Sequence, residues 1–199
     1  LHEYGNLERL VRSANFEGEE MFSPGERFAL AAPLNFVASL MVLSYGLYRG
    51  CGSSYILSYS TVKNPVALIK FLLLKRITLF FLTPTYARKF AGKTGPFLKK
   101  MAIGSEPANN FHLKGVINYN MYAQSESGVV TCMFVIDKEY ALCPVGKPQF
   151  DMKYRVVDDD GNDVPDGEIG EFLFENPYVR GYINLPEETA KVFKDGYFY

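Results

Sequence analysis

The sequence predicts an α/β fold: a mainly parallel sheet with helices on both faces, followed by a small antiparallel β unit. Apolar, β-branched and aromatic runs alternate with helix-like segments through most of the chain, the pattern of parallel strands joined by crossover helices. Pro144, Gly146 and Pro148 then interrupt it, and two strand-like segments follow, joined by a turn-forming tract. The expected division is an α/β subdomain over 1–137 and a β-rich subdomain over 138–199.

The elements follow in order. FALAAPL (28–34) reads as a short buried strand, and Pro33, Asn35 and Phe36 break the run after it. A helix is expected from about Val37 to Tyr48; Ser39, Ser44 and Gly46 suit tight packing on a sheet, and Gly50 suits its C-terminal stop. GSSYIL (52–57) is a strand, and Asn64-Pro65 supplies the N-cap and first turn of a helix through VALIKFLLLKR. ITLFFL (77–82) is a strand closed by Thr83-Pro84, and TYARKFAG a short helix. KKMAIGS, a short helix around Asn109 to Leu113, and the strand GVINYNM complete the first unit. In the second, FDMKYRVVD and GEIGEFLFEN are strands joined by DDGNDVPD. An EF-hand needs carboxylates at alternate positions, whereas three consecutive aspartates precede Gly161, so a solvated hairpin turn is expected rather than a calcium loop.

Composition narrows the partners. The 199 residues are 48% hydrophobic and 22% charged, enough to bury a sizeable core. With 21 basic and 22 acidic residues the net charge is -1, and no like-charge block marks a nucleic-acid surface. Cys51, Cys132 and Cys143 show no C-x-x-C spacing, and His2 and His112 are the only histidines, so neither a disulfide framework nor a zinc site is expected; reduced cysteines suit a cytoplasmic protein. The uncharged run 28–48 is long enough to span a bilayer, but Pro33 and Asn35 leave a helix too short to cross, and no membrane span is expected. The chain opens at Leu1 without methionine and stops inside GYFY, and is read as an interior segment.

Chemistry concentrates in NMYAQSES (120–127), where a strand leads into a loop at the carboxyl edge of a parallel sheet, the place where open α/β folds bind ligands. Tyr122 offers a flat ring for a purine, Ser125 a hydrogen bond to a phosphate oxygen, and Glu126 a carboxylate for magnesium. Alone, these residues also describe a surface loop with a packed tyrosine and a solvated glutamate. The surrounding sequence separates the two. NMYAQSES resembles the N-x-Y-G-x-[ST]-E motif of the adenylate-forming (AMP-binding) superfamily of acyl-CoA synthetases, luciferases and nonribosomal peptide synthetase adenylation domains. GEIGEFLFENPYVRGYINLPEETAKVFKDGYFY (167–199) is similar to that family's G-E-[IL]-x-x-x-G segment and the G-Y-x-x-x-P-E-x-T stretch beyond it. MAIGSE (101–106) is similar to its strand and G-[GS]-[EA] turn, and FALAAPLNFVAS to the strand and F-x-x-S turn leading to the acyl pocket. The four segments keep the family's order and cover nearly the whole chain.

The resemblance implies an ATP-dependent ligase that activates a carboxylic acid as acyl-AMP for transfer to a thiol, of CoA or a carrier protein, with ATP/AMP and Mg2+ bound. It carries over Tyr122 as adenine stacker, Ser125 as phosphate contact and Glu126 as magnesium ligand, with Gly104, Ser105 and Glu106 beside the adenine; Ala123 replaces the usual glycine. It places Val37, Ala38, Met41, Met101, Ile103, Met121, Val129 and Val130 around the acyl group, all apolar, as suits an aliphatic or aryl acid. Val37 stands where peptide synthetases carry an aspartate for the α-amino group, so a plain α-amino acid is disfavoured. An adenylation domain for an unusual acid, and a non-catalytic descendant acting as a scaffold, are the alternatives. The family's phosphate loop is expected before Leu1, and its T-G-D aspartate and C-terminal lysine after Tyr199. The 199 residues in isolation are therefore expected to show no acid-dependent pyrophosphate exchange, which a radiolabelled exchange assay checks directly.

Overall fold

The computed structural model describes residues 1–12, 15–16, 19–33, 35–48, 50–90, 92–149 and 152–199. Its frame is a seven-stranded sheet. In chain order the elements are α1 (Tyr4–Arg12), β1 (Asn15–Phe16), β2 (Glu19–Glu20), β3 (Arg27–Leu30), α2 (Ala38–Tyr48), β4 (Ser53–Ile56), α3 (Tyr59–Lys63), α4 (Pro65–Leu74), β5 (Leu79–Leu82), α5 (Pro84–Phe90), β6 (Lys100–Gly104), β7 (Ile117–Ala123), β8 (Val130–Ile136) and β9 (Lys147–Pro148), then β10 (Tyr154–Val157), β11 (Glu171–Glu175), α6 (Pro186–Val192), β12 (Phe193–Lys194) and β13 (Tyr197–Phe198). The large sheet runs β4-β3-β5-β6-β7-β8-β9, and a four-stranded sheet runs β10-β11-β13-β12. Strands β4 to β7 are parallel to their neighbours, β8 and β9 antiparallel, and the smaller sheet is antiparallel throughout. The fold class expected from the sequence is the one observed.

Strands β3 and β5 show why the sequence reads as continuous apolar runs: Phe28 to Leu30 and all of LFFL are buried, because a parallel strand under helices is covered on both faces. Alternation divides them between two cores. Phe28, Leu30, Leu79, Phe81, Ala102, Tyr119 and Met121 point to one side, and Ala29, Phe80, Leu82, Met101 and Ile103 to the other. Phe174 and Phe198 of the smaller sheet, at a centroid distance of 5.2 Å, join the first of these cores. The two sheets thus share one apolar interior.

Local signals hold at several ends. Asn64 Oδ1 accepts from Val66 N and Ala67 N, both at 3.1 Å, with Pro65 opening α4. Asn64→Ala therefore lowers unfolding stability by about 1 kcal/mol, to be read from a urea titration. The acidic tract is a hairpin turn in which Asp158 Oδ1 accepts from Asp160 N (3.0 Å) and Asn162 N (2.8 Å), holding its carboxyl below the usual range. No helix of the described residues is long and apolar enough to cross a membrane; α2, within the apolar run, has 11 residues.

Two expectations change. Residues 109–113 form no helix: 109–110 are a turn with an Asn110 φ of 52°, and the segment is tied to its surroundings, Asn110 N to Tyr140 O, Cys143 N to Asn109 Oδ1 and Leu113 N to Asn118 Oδ1. The strand expected from Phe150 opens at Tyr154; Phe150 and Asp151 lie outside the described residues. β9 pairs with β8, so the large sheet extends past residue 137. The amphipathic α1 and the short α3 and α6 had no strong signal in the sequence.

Candidate active site

Strands β7 and β8 form a hairpin, and its loop carries Gln124, Ser125, Glu126 and Ser127 at the end of the strand that also holds Met121 and Tyr122. A bulge between Tyr122 and Ala123 re-aims the strand end. Around the loop lie three cavities. The first, about 250 Å³, opens beside the carboxyl ends of the parallel strands, between Val37 and Ala38 at the start of α2, Gly104 and Ser105 after β6, and Met121, Val129 and Val130 of the hairpin. Leu10, Phe36 and Phe81 close its apolar wall, while Ser105, Gln124 and Ser125 bring polar groups to it. This division, mostly apolar with a few polar groups at one end, suits a small organic ligand.

The second cavity, about 180 Å³, contains Ser125 and Glu126 together with His2, Gly181 and Tyr182. Glu126 Oε1 accepts from Tyr182 Oη at 2.7 Å, and Oε2 has no hydrogen-bond partner among the described residues. Burial, then the bond to Glu126, pushes the Tyr182 phenol up to about 12, so it remains a donor throughout the physiological range. His2 Nε2 lies 2.8 Å from Ser125 O, and burial lowers its pKa. Ser125 lines both cavities.

Tyr122 faces a third space, about 500 Å³, with Phe172 edge-on at 6.3 Å, and Tyr154 stacked on Phe172 at 5.8 Å. Successive residues of a strand point to opposite faces, so Met121 enters the first cavity and Tyr122 leaves it.

Of the residues expected from the sequence, the structure gathers Val37, Ala38, Gly104, Ser105, Met121, Ser125, Val129 and Val130 around one cavity. Met101 and Ile103 are not among them: they alternate with Ala102 and Gly104 on β6 and are buried in the core on the far side of the sheet. The Met41 side chain lies outside the described residues. Glu106 turns to α5, where its Oε2 accepts from Thr85 N (3.0 Å) and Thr85 Oγ1 (2.5 Å); the hydroxyl bond holds the carboxyl below its usual range. That places Glu106 in a structural tie. Tyr182, the partner of Glu126, sits in the quoted segment 167–199 as a residue without an assigned role, and Phe36 in the quoted F-x-x-S turn. His2 carried no local motif at all.

Glu126 suits magnesium better than a metal held by a full protein cage. One carboxylate oxygen is available, and no group of three or more His, Cys, Asp or Glu among the described residues is placed to hold an ion. Magnesium keeps several waters and binds through one or two carboxylates plus substrate phosphates, which such a sparse donor set satisfies.

Comparison with known proteins agrees with this fold. The fold superimposes on O-succinylbenzoate coenzyme A synthetase of Bacillus subtilis, solved with ATP and magnesium ion, with a TM-score of 0.78 at 19% identity, over 99% of this chain and 42% of that one. A D-alanine–D-alanyl carrier protein ligase of Bacillus velezensis is 27% identical over 85% of this chain and 37% of its own length. A feruloyl-CoA synthase of an Amycolatopsis species is 28% identical over 98% of this chain and 42% of its own length. Bacitracin synthase 1 of Bacillus licheniformis is 31% identical over 59% of this chain, which is 2% of that protein. The chain thus spans about two fifths or less of the relatives it matches. The family described as AMP-binding enzyme matches residues 1–183, and the chain belongs to that family.

Proposed function

We propose that this chain supplies the acid pocket and part of the nucleotide site of an ATP-dependent, AMP-forming ligase, which activates an aliphatic or aryl carboxylic acid as acyl-AMP for transfer to the thiol of CoA or a carrier protein. The observation that carries the reading is the position of Ser125: it lines both an apolar, acid-sized cavity and the cavity of Glu126. The reacting carboxylate and the α-phosphate of ATP would meet at that wall. Ser125 would hydrogen-bond a phosphate oxygen, and Glu126 would hold magnesium, whose charge neutralises the phosphates. Tyr182 orients the Glu126 carboxylate by its bond to Oε1. Tyr122, with Phe172 and Tyr154, offers aromatic faces for the adenine. Transfer of this kind depends chiefly on positioning and charge neutralisation, which these groups provide.

The apolar wall with Val37 favours acids without an α-amino group, and the similarity to feruloyl-CoA synthase supports an aryl acid. The similarity to bacitracin synthase 1 and to carrier protein ligases supports a second reading, an adenylation domain delivering its acyl group to a carrier protein. Free Cys51, Cys132 and Cys143 fit a reducing compartment such as the cytoplasm; burial pushes the Cys132 thiol up to about 12 and keeps it inert. We place the subdomain boundary after β9 rather than at 137, since β9 belongs to the large sheet. Pyrophosphate exchange by the full-length protein, screened over aryl, aliphatic and α-amino acids, tests the function. Exchange with aryl or aliphatic acids is expected, and exchange with none would remove the ligase reading.

A further inference from the structure

The loop that presents Ser125 and Glu126 is held by two buried side chains from remote parts of the sequence. Asn6 of α1 and Asn176, next after β11, both direct their amide nitrogens at the carbonyl oxygen of Ser127, at 3.3 and 2.5 Å. Asn6 and Asn176 are 3% and 6% exposed. Both amide nitrogens use both their hydrogens: Asn6 Nδ2 also meets His2 Nδ1 at 2.6 Å, and Asn176 Nδ2 also meets Asn6 Oδ1 at 3.5 Å. Asn176 Oδ1 accepts from Tyr178 N at 3.0 Å. Turning either amide over would set oxygen against oxygen at Ser127, so the network has one orientation. It also fixes His2: Nδ1 accepts, and Nε2–H donates to Ser125 O.

The backbone is shaped to receive these side chains. Gly128 has a φ of 63°, and a Cβ there would overlap the Asn6 amide nitrogen. The Ser127 hydroxyl lies 2.7 Å from Gln124 O and 2.6 Å from Val129 O, closing the loop from within. A short hairpin loop can close through its own backbone; importing two amides into a buried site costs side-chain entropy and desolvation that loop closure alone does not require. What the two amides add is a fixed Ser127–Gly128 peptide plane, one residue beyond Glu126.

We propose that Asn6 and Asn176 are positioning residues for magnesium-dependent chemistry, holding the Ser127 carbonyl so that the Glu126 carboxylate is presented to the metal at a set angle. This rests on the reading of Glu126 as the magnesium ligand. Asn176→Asp and Asn6→Asp keep side-chain size and replace the donor with an oxygen that repels the Ser127 carbonyl. The test is acid-dependent pyrophosphate exchange by the full-length protein, titrated with Mg2+. Each variant is expected to need about tenfold more Mg2+ for half-maximal rate and to lose about tenfold in kcat, while the KM for the acid stays within about twofold. Asn64→Ala, a remote helix-cap variant, destabilises the fold and leaves the Mg2+ dependence unchanged. A folded Asn176→Asp or Asn6→Asp with the parent's Mg2+ dependence overturns the positioning role alone, as does an equal shift in Asn64→Ala. Absence of exchange in the parent overturns it together with the reading on which it rests. Should both Asp variants fail to fold, Asn176→Ser and Asn6→Ser, which shorten the side chain without adding a charge, take their place: the same shift in Mg2+ dependence is expected, and a folded Ser variant with the parent's Mg2+ dependence overturns the proposal.

Discussion

Replacing Glu126 with glutamine lowers acid-dependent pyrophosphate exchange by the full-length protein by about 10²- to 10³-fold. The substitution keeps the size of the side chain and an oxygen that accepts from Tyr182, and removes only the charge. The effect therefore falls on the metal and the phosphates rather than on the loop. Glu126 is half-buried and makes no ion pair among the described residues, so the variant's unfolding stability stays within about 0.5 kcal/mol of the parent's. The loss is expected mainly in kcat, because a carboxylate that holds magnesium acts most where charge develops during transfer. Tyr182→Phe makes a useful companion: it leaves the charge and removes the orienting bond, and costs about tenfold. A Glu126→Gln enzyme with the parent's rate would remove Glu126 from the magnesium role.

Val37→Asp is the second large effect, and it acts on the acid. Val37 is part-exposed in the cavity, so the carboxylate is hydrated in the free protein and the fold loses little. When an aryl or aliphatic acid fills the cavity, water leaves and an unpaired charge is trapped against Met121, Val129 and Val130. Desolvating an uncompensated carboxylate costs several kcal/mol, which corresponds to at least about 10²-fold in kcat/KM for the parent's acid. An acid with an α-ammonium group brings its own counter-charge, and exchange with α-amino acids is expected to rise as exchange with neutral-side-chain acids falls. Competition between the two acid classes in one assay measures the switch. An unchanged preference would place Val37 away from the bound acid.

The parts of this arrangement legible in the sequence are those governed by local rules. The apolar runs of β3 and β5, the Asn64-Pro65 start of α4 and the Asp158 turn each depend on a few adjacent residues, and each is where the sequence put it. The loop 124–127 was likewise marked by its residue types and its neighbours. Facing is harder to read. Met101 and Ile103 have the same chemistry as Met121 and Val130, and only strand parity sends them to the far core. The turn at 109–110 is tied to 140–143 by hydrogen bonds of Asn110 N and Asn109 Oδ1, a long-range fact with no local sign. Asn6, Asn176 and Tyr182 belong to the same class: each meets the loop across 49 residues or more, and a lone asparagine or tyrosine in sequence does not announce its partner.

Strand β7 sends Met121 to one side and Tyr122 to the other. On the proposed assignment, neighbouring residues then serve two different molecules without sharing a contact. Changes at well-separated surfaces combine nearly independently, so a descendant can trade Met121 for a larger or smaller residue and acquire a new acid while inheriting its adenine slot intact. The similar proteins include a D-alanine–D-alanyl carrier protein ligase and a feruloyl-CoA synthase, whose names state different acids, and a strand with two faces offers such divergence a physical route.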